Sequence, residues 1–136
     1  MVVLIDTNVI IDYLLTREPY YEASSDIILK CAQKKLMGYI AFHSIPNLWY
    51  ILRKVPEVKR REWIVDLCCF LQVTGVSHAE VVRAVKNIDF KDFEDCLQDR
   101  CAVSVGAKYI ITRNIMDYAN SKVQAISPED FLKQFG

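Results

Sequence analysis

Short β-branched apolar runs alternate along this sequence with longer stretches in which apolar residues recur every three or four positions, and that order leaves few architectures open. The first run, Val2–Ile5, suits a strand buried on both faces of a parallel sheet. It ends at Asp6-Thr7-Asn8, all residue types that start helices, and Val9, Ile10, Tyr13 and Leu14 follow at helical spacing. Arg17-Glu18-Pro19 breaks this first helix. Further strands are predicted over 39–42, 72–76, 108–112 and 123–126. Helices are predicted over about 20–35, with Gly38 as its stop signal, from a Ser44 cap to Val55-Pro56, and over 60–71, 77–86, 93–105 and 127–134. Ser127-Pro128-Glu129-Asp130 is the clearest helix start: cap, proline at the first position, acids in the first turn. Ile45, Leu48, Trp49 and Leu52 form one core-facing stripe, and Trp63, Ile64, Leu67 and Phe70 another. Strands in regular alternation with helices predict an α/β fold, a three-layer α/β/α sandwich around a mostly parallel sheet.

A chain of 136 residues without repeats or linkers fits one domain, 1–136. Its 52% hydrophobic content supplies a core without disulfide or metal staples. Seventeen basic residues balance seventeen acidic ones, which argues against a protein that holds nucleic acid by its global field but leaves room for a local basic rim. Cys31, Cys68, Cys69, Cys96 and Cys101 are odd in number and contain no Cys-x-x-Cys pair, so they read as reduced thiols in a cytoplasmic setting rather than as a zinc site. Cys68-Cys69 sits in an apolar run and reads as a pair of small hydrophobes. Asp6, Asn8 and Asp12 interrupt the apolar N-terminus, which does not read as a signal peptide, and no stretch is predicted to span a membrane.

Open parallel sheets carry their sites beyond the carboxyl ends of the strands. Asp6 stands at one such end, and Thr112, Arg113 and Asn114 at another. On the helix over 93–105, at about 100° per residue, Asp92, Asp95 and Asp99 fall within roughly 60° of one another while Glu94 points away. Three like charges on one stripe repel mildly in water and become favourable around a divalent cation. Two plainer readings stand beside this: the stripe as a solvated helix face, and Asp6 as no more than a helix cap.

Val3 to Asp12, V-L-I-D-T-N-V-I-I-D, resembles the opening of PIN domains, small α/β/α nucleases that include the VapC-like toxins of toxin–antitoxin pairs. D-F-E-D-C-L-Q-D-R-C-A (Asp92 to Ala102) is similar to their third acidic motif and I-I-T-R-N-I-M-D-Y (Ile110 to Tyr118) to their fourth. A-I-S-P-E-D-F-L (Ala125 to Leu132) is similar to their closing strand and helix. The resemblance implies Asp6, Asp95 and Asp117 as ligands of Mg²⁺ or Mn²⁺ and Asn8 as the support of Asp6. It implies an RNA substrate, an antitoxin partner and pairing into a homodimer, for which Tyr20, Tyr21, Tyr50 and Trp63 are candidate surface aromatics. Two positions depart from it: Asn47 stands where the second motif has Glu, and Asn114 where the fourth has Asp. Each keeps an oxygen and loses a charge, and two fewer carboxylates weaken a site for a hard cation. Asp92, Asp99 and Asp117 are available to restore charge.

The resulting expectation is metal-dependent hydrolysis of RNA phosphodiesters. Asp6, Asp95 and Asp117 hold metal, Asn47 and Asn114 orient water or phosphate, and Asn8, Thr112 and Arg113 contact substrate. The run Arg53, Lys54, Lys59, Arg60 and Arg61 reads first as a solvated helix junction, Arg17 is ambiguous, and His43, His78, Trp49 and Trp63 read as structural. The two amides also suit a non-catalytic module that binds RNA or protein. A phosphotransfer reading wants a second Asp two positions after the first, where Asn8 stands.

Overall fold

The computed structural model describes residues 1–136. In chain order it contains β1 (Val2–Ile5), α1 (Thr7–Leu14), α2 (Tyr21–Ala32), β2 (Met37–Ala41), α3 (Ser44–Ile51), α4 (Glu57–Phe70) and β3 (Gln72–Thr74). There follow α5 (His78–Lys86), α6 (Phe93–Ser104), β4 (Tyr109–Ile111), a 3-10 turn (Ile115–Tyr118), β5 (Gln124–Ile126) and α7 (Pro128–Phe135). The strands form one sheet in the order β3-β2-β1-β4-β5. Every pairing is parallel, with Leu4 opposite both Tyr39 and Ile110. The expected three-layer α/β/α arrangement is therefore what the chain adopts.

The central strand explains the layering. Val3 and Ile5 point into the larger core with Val9, Ile10, Ile27, Ile28, Leu48, Leu67 and Phe131, from α1, α2, α3, α4 and α7. Leu4 points the other way, into a smaller core with Ile110, Cys101, Ala102 and Tyr118. Period-two alternation thus sends one strand's side chains into both layers. Asp6 caps α1, Ser77 caps α5 and Ser127 caps α7, each accepting from a backbone N–H of its helix.

Several local expectations are corrected. Gly38 is no helix stop; it lies inside β2, where a Cβ would come within 2.6 Å of Cys31 Sγ and Leu71 Cδ2. Its missing side chain lets α2 and the end of α4 close over the strand. Ser44 is the first residue of α3 rather than its cap, and it is fully buried. Its Oγ accepts from Thr7 Oγ1 at 2.7 Å and from Gln98 Nε2 at 2.9 Å, tying α1, α3 and α6 together. The helix expected from Arg60 begins at Glu57, directly after Pro56. Within it only Leu67 is fully buried, and Cys68 and Cys69 face solvent rather than the core.

Two acidic residues far from any solvent set the outer geometry. Asp99 is fully buried and accepts from Ser121 Oγ and from the backbone N–H groups of Lys122 (3.0 Å) and Val123 (3.2 Å), fixing the approach to β5. Asp12, also fully buried, takes two contacts from Arg113, at 2.6 Å from Nε and 3.2 Å from Nη2. The same guanidinium lies 4.1 Å from the centroid of the Tyr20 ring. Removing one partner of such a pair strands a buried charge, so Arg113→Ala is expected to lower the unfolding free energy by about 3–5 kcal/mol. Urea denaturation followed by circular dichroism checks this; an unchanged midpoint would mean that water replaces the guanidinium at Asp12.

Candidate active site

β1 is where the strand order reverses: the chain leaves it toward β2 and β3, then returns to lay β4 and β5 on its other side. Crevices form at the carboxyl ends of strands at such a reversal. Asp6 follows β1 there and Thr112 follows β4, and the backbone N–H of Asp6 donates to Ile111 O at 2.9 Å. The Asp6 carboxylate is buried and met by four donors. Thr7 N donates to Oδ1 at 2.7 Å, and Thr112 Oγ1 (2.8 Å), Tyr118 OH (2.9 Å) and Asn8 Nδ2 (3.3 Å) donate to Oδ2. Burial raises its pKa, and the Thr112, Tyr118 and Thr7 bonds act against that rise without cancelling it.

Above Asp6 opens a groove of about 430 Å³. Asp6, Asn8, Asn47, Tyr50, Asp92, Glu94, Asp95, Gln98, Asn114 and Asp117 all border it, so α1, α3, α6 and the 3-10 turn each present polar side chains to one space. The carboxyl of Asp95 is pushed up to about 7, first by desolvation and then by the charges of Asp92, Asp6 and Asp117. Tyr118 sits between the two central acids, its hydroxyl 2.9 Å from Asp6 and 3.3 Å from Asp95. A phenol has one proton to give, and the shorter contact takes it to Asp6. Burial and the two carboxylates raise the phenol's own pKa, so it remains a donor.

Of the residues singled out from the sequence, Asp6, Asn8, Asp95, Asp117, Asn47 and Asn114 are brought to this groove, and Asp92 joins them. Three are not placed as expected. Thr112 is fully buried with its hydroxyl given to Asp6, so it supports that carboxylate rather than touching substrate. Arg113 is turned to Asp12 and Tyr20 and is no free phosphate contact. Asp99 lies one turn deeper along α6 than Asp95 and is consumed by the 121–123 backbone.

Glu94, expected to point away, borders the groove and accepts from Asn47 Nδ2 at 2.8 Å. Asp92 is the extended N-cap of α6, accepting from Glu94 N (2.8 Å) and Asp95 N (3.3 Å), and it is the contact with Asn47 on α3 that brings Glu94 to the groove edge. Tyr118 is the functional-site residue that charge and spacing did not single out; its signal was only its place after Asp117. His43 has no partner for its buried Nε2, and burial lowers its pKa against the pull of Glu94.

The donor set consists of hard oxygens, which suits Mg²⁺ or Mn²⁺ rather than a soft metal. No three His, Cys, Asp or Glu side chains are gathered into a ready-made cage. Mg²⁺ is commonly held by one or two carboxylates and otherwise by water. Asp6, Asp95 and Asp117 are the carboxylates of the expected set that could hold such a cation, Asp6 and Asp95 both lie against the Tyr118 hydroxyl, and Gln98 borders the same groove with a buried, unpartnered Oε1.

Known proteins share this fold and sequence pattern. Ribonuclease VapC1 of Aquifex aeolicus (strain VF5) is 26% identical over 137 residues, spanning 98% of this chain and 94% of the relative. The structure of VapBC-1 from nontypeable Haemophilus influenzae superposes with a TM-score of 0.70 at 17% identity, over 95% of this chain and 99% of that one. VapBC2 from Rickettsia felis, solved bound to a DNA fragment from its promoter, superposes with a TM-score of 0.69 at 15% identity, over 93% and 98%. At those identities the two structures speak for the fold alone. The sequence profile of the PIN domain matches residues 2–116, and the chain belongs to the PIN domain family.

Proposed function

We propose that the protein is a divalent-metal-dependent ribonuclease, hydrolysing phosphodiester bonds of single-stranded or looped RNA as the toxin of a toxin–antitoxin pair. The observation that carries this reading is the convergence of Asp6 and Asp95 on one phenol at the mouth of the β1/β4 crevice. The name of the Aquifex relative supports the reaction class, and the VapBC titles of the two structural neighbours support an antitoxin partner.

A bound Mg²⁺ or Mn²⁺ supplies an activated water and a counter-charge to the attacked phosphate. Asp6 and Asp95 would hold the cation, with Asp117 reaching it directly or through water. Thr112 and Tyr118 keep the Asp6 carboxylate in one orientation, and Asn8 carries the same restraint to α1. Asp117, exposed at the rim, would also take the proton from the attacking water. Asn114 and Asn47 orient water or a phosphate oxygen, and the Asn47 amide also fixes Glu94. The new P–O bond forms as the bond to the leaving ribose oxygen breaks, and that oxygen is protonated from solvent in the open groove.

A second reading, a module that binds RNA or protein without cleaving it, is favoured by the two amides at Asn47 and Asn114 and by the absence of a three-carboxylate cage. Five free thiols, two of them exposed, support a reducing cytoplasmic setting, and no helix is long and apolar enough to cross a membrane.

Labelled single-stranded RNA is expected to be cut with Mg²⁺ or Mn²⁺ and left intact with EDTA. Asp6→Asn and Asp95→Asn should each lower the rate by about a hundredfold or more; folded wild-type protein with no activity above these variants would leave the binding module. The raised Asp95 value gives a second expectation. In the fold Asp95 keeps its proton up to about pH 7, whereas the unfolded chain loses it near the ordinary carboxyl value of about 3.9. Its contribution therefore lowers the stability of the metal-free protein as pH rises from about 4 to about 7, and then levels off. Without divalent cations, Asp95→Asn should melt above wild type at pH 8 and match it at pH 4. Equal melting temperatures at both values would contradict this account.

A further inference from the structure

The groove is lined by Asp6, Asp92, Glu94, Asp95 and Asp117, so its own field repels the phosphates of the substrate it is proposed to cut. Beyond the counter-charge of a cation at the attacked phosphate, binding gains from contacts outside that acidic lining. Along α3, Asn47, Tyr50 and Ile51 share one face, at i, i+3 and i+4, and all three line the groove. Tyr50 is the lone aromatic among the lining residues, and the residue is 65% exposed. It is also held. The Arg53 guanidinium lies 4.3 Å from the ring centroid, and Arg53 Nη1 donates to Tyr50 O at 3.2 Å. Trp49, the neighbouring aromatic, faces elsewhere. It lines an apolar depression with Phe42, Ile45 and Ile64 and is covered by Arg60 and Arg61, at 4.3 and 5.2 Å from its ring.

We propose that Tyr50 is a stacking platform for a nucleobase of the RNA next to the cleaved phosphodiester, with Arg53 as its cationic support. The inference rests on the ribonuclease reading. An exposed aromatic restrained by its own arginine loses little freedom on receiving a base, and its position one turn from Asn47 puts the base beside the acidic floor. Arg53 adds the positive charge that the groove lining lacks, and stacking tolerates any base because each has a π-face. Arg113, held at Asp12, cannot take this role.

The test measures kcat and KM on a short single-stranded RNA for wild type, Tyr50→Ala, Tyr50→Leu, Tyr50→Phe and Arg53→Gln. The fluorescence of a 2-aminopurine placed beside the cleavage site is followed on binding to the Asp95→Asn background. Tyr50→Ala and Tyr50→Leu should raise KM about tenfold or more with little change in kcat, and should abolish the quenching. Tyr50→Phe should retain both, and Arg53→Gln should raise KM less and steepen no salt dependence. Cleavage, KM and quenching unchanged in Tyr50→Ala would overturn the platform and leave the ribonuclease standing. Loss of self-association in Tyr50→Ala with KM unchanged would assign the ring to a protein contact instead. Wild type that neither cleaves nor quenches would overturn both.

Discussion

A carboxylate held below the solvent surface at the end of the central strand is the constraint around which this molecule is arranged. Burial raises the Asp6 pKa and by itself would leave the carboxylate weakly placed; the hydroxyls of Thr112 and Tyr118, the Asn8 amide and the Thr7 N–H each give back part of what desolvation removes. Those donors come from β4's end, the 3-10 turn and α1. Satisfying one carboxylate therefore ties the start of α1 to the end of β4 and the 3-10 turn, 106 to 112 residues away in sequence, and the Tyr118 hydroxyl also lies against Asp95 on α6. The Thr7–Ser44–Gln98 chain underneath ties α1, α3 and α6 by a second route.

The other buried acids serve the scaffold, and the contrast is instructive. Asp12 and Asp99 are more deeply buried than Asp6, yet each is answered by fixed partners: Arg113 for the first, and the 121–123 backbone with Arg100 for the second. Asp95 lies 3.3 Å from a phenol whose proton goes to Asp6, and it is faced by three further carboxylates. Charges left in mutual repulsion at a groove are a common mark of a site that a cation completes, whereas charges with full partners hold structure.

Much of this was legible in the sequence because it depends on short-range chemistry. The apolar run ending in Asp6, the Ser127-Pro128 helix start and the alternation of strands with helices follow from rules that act over a few residues, and the structure obeys them. What stayed hidden depends on partners far away in the chain. Arg113 beside Asn114 reads as a phosphate contact until Asp12, 101 residues earlier, is found holding it. Gly38 reads as a helix stop until Cys31 and Leu71 are seen pressing on β2. Glu94 reads as pointing away until its partner on α3, Asn47, 47 residues earlier, is found at the groove edge. Tyr118 carries no charge to mark it, and its role arises only where the 3-10 turn meets β1.

The claim that the groove is a cation site is tested most directly by titrating metal-free protein with Mn²⁺ and reading free Mn²⁺ by electron paramagnetic resonance. The account predicts stoichiometric binding to wild type, displaced by excess Mg²⁺ and lost in both Asp6→Asn and Asp95→Asn. Binding of equal strength in all three proteins, or none in folded wild type, would contradict it.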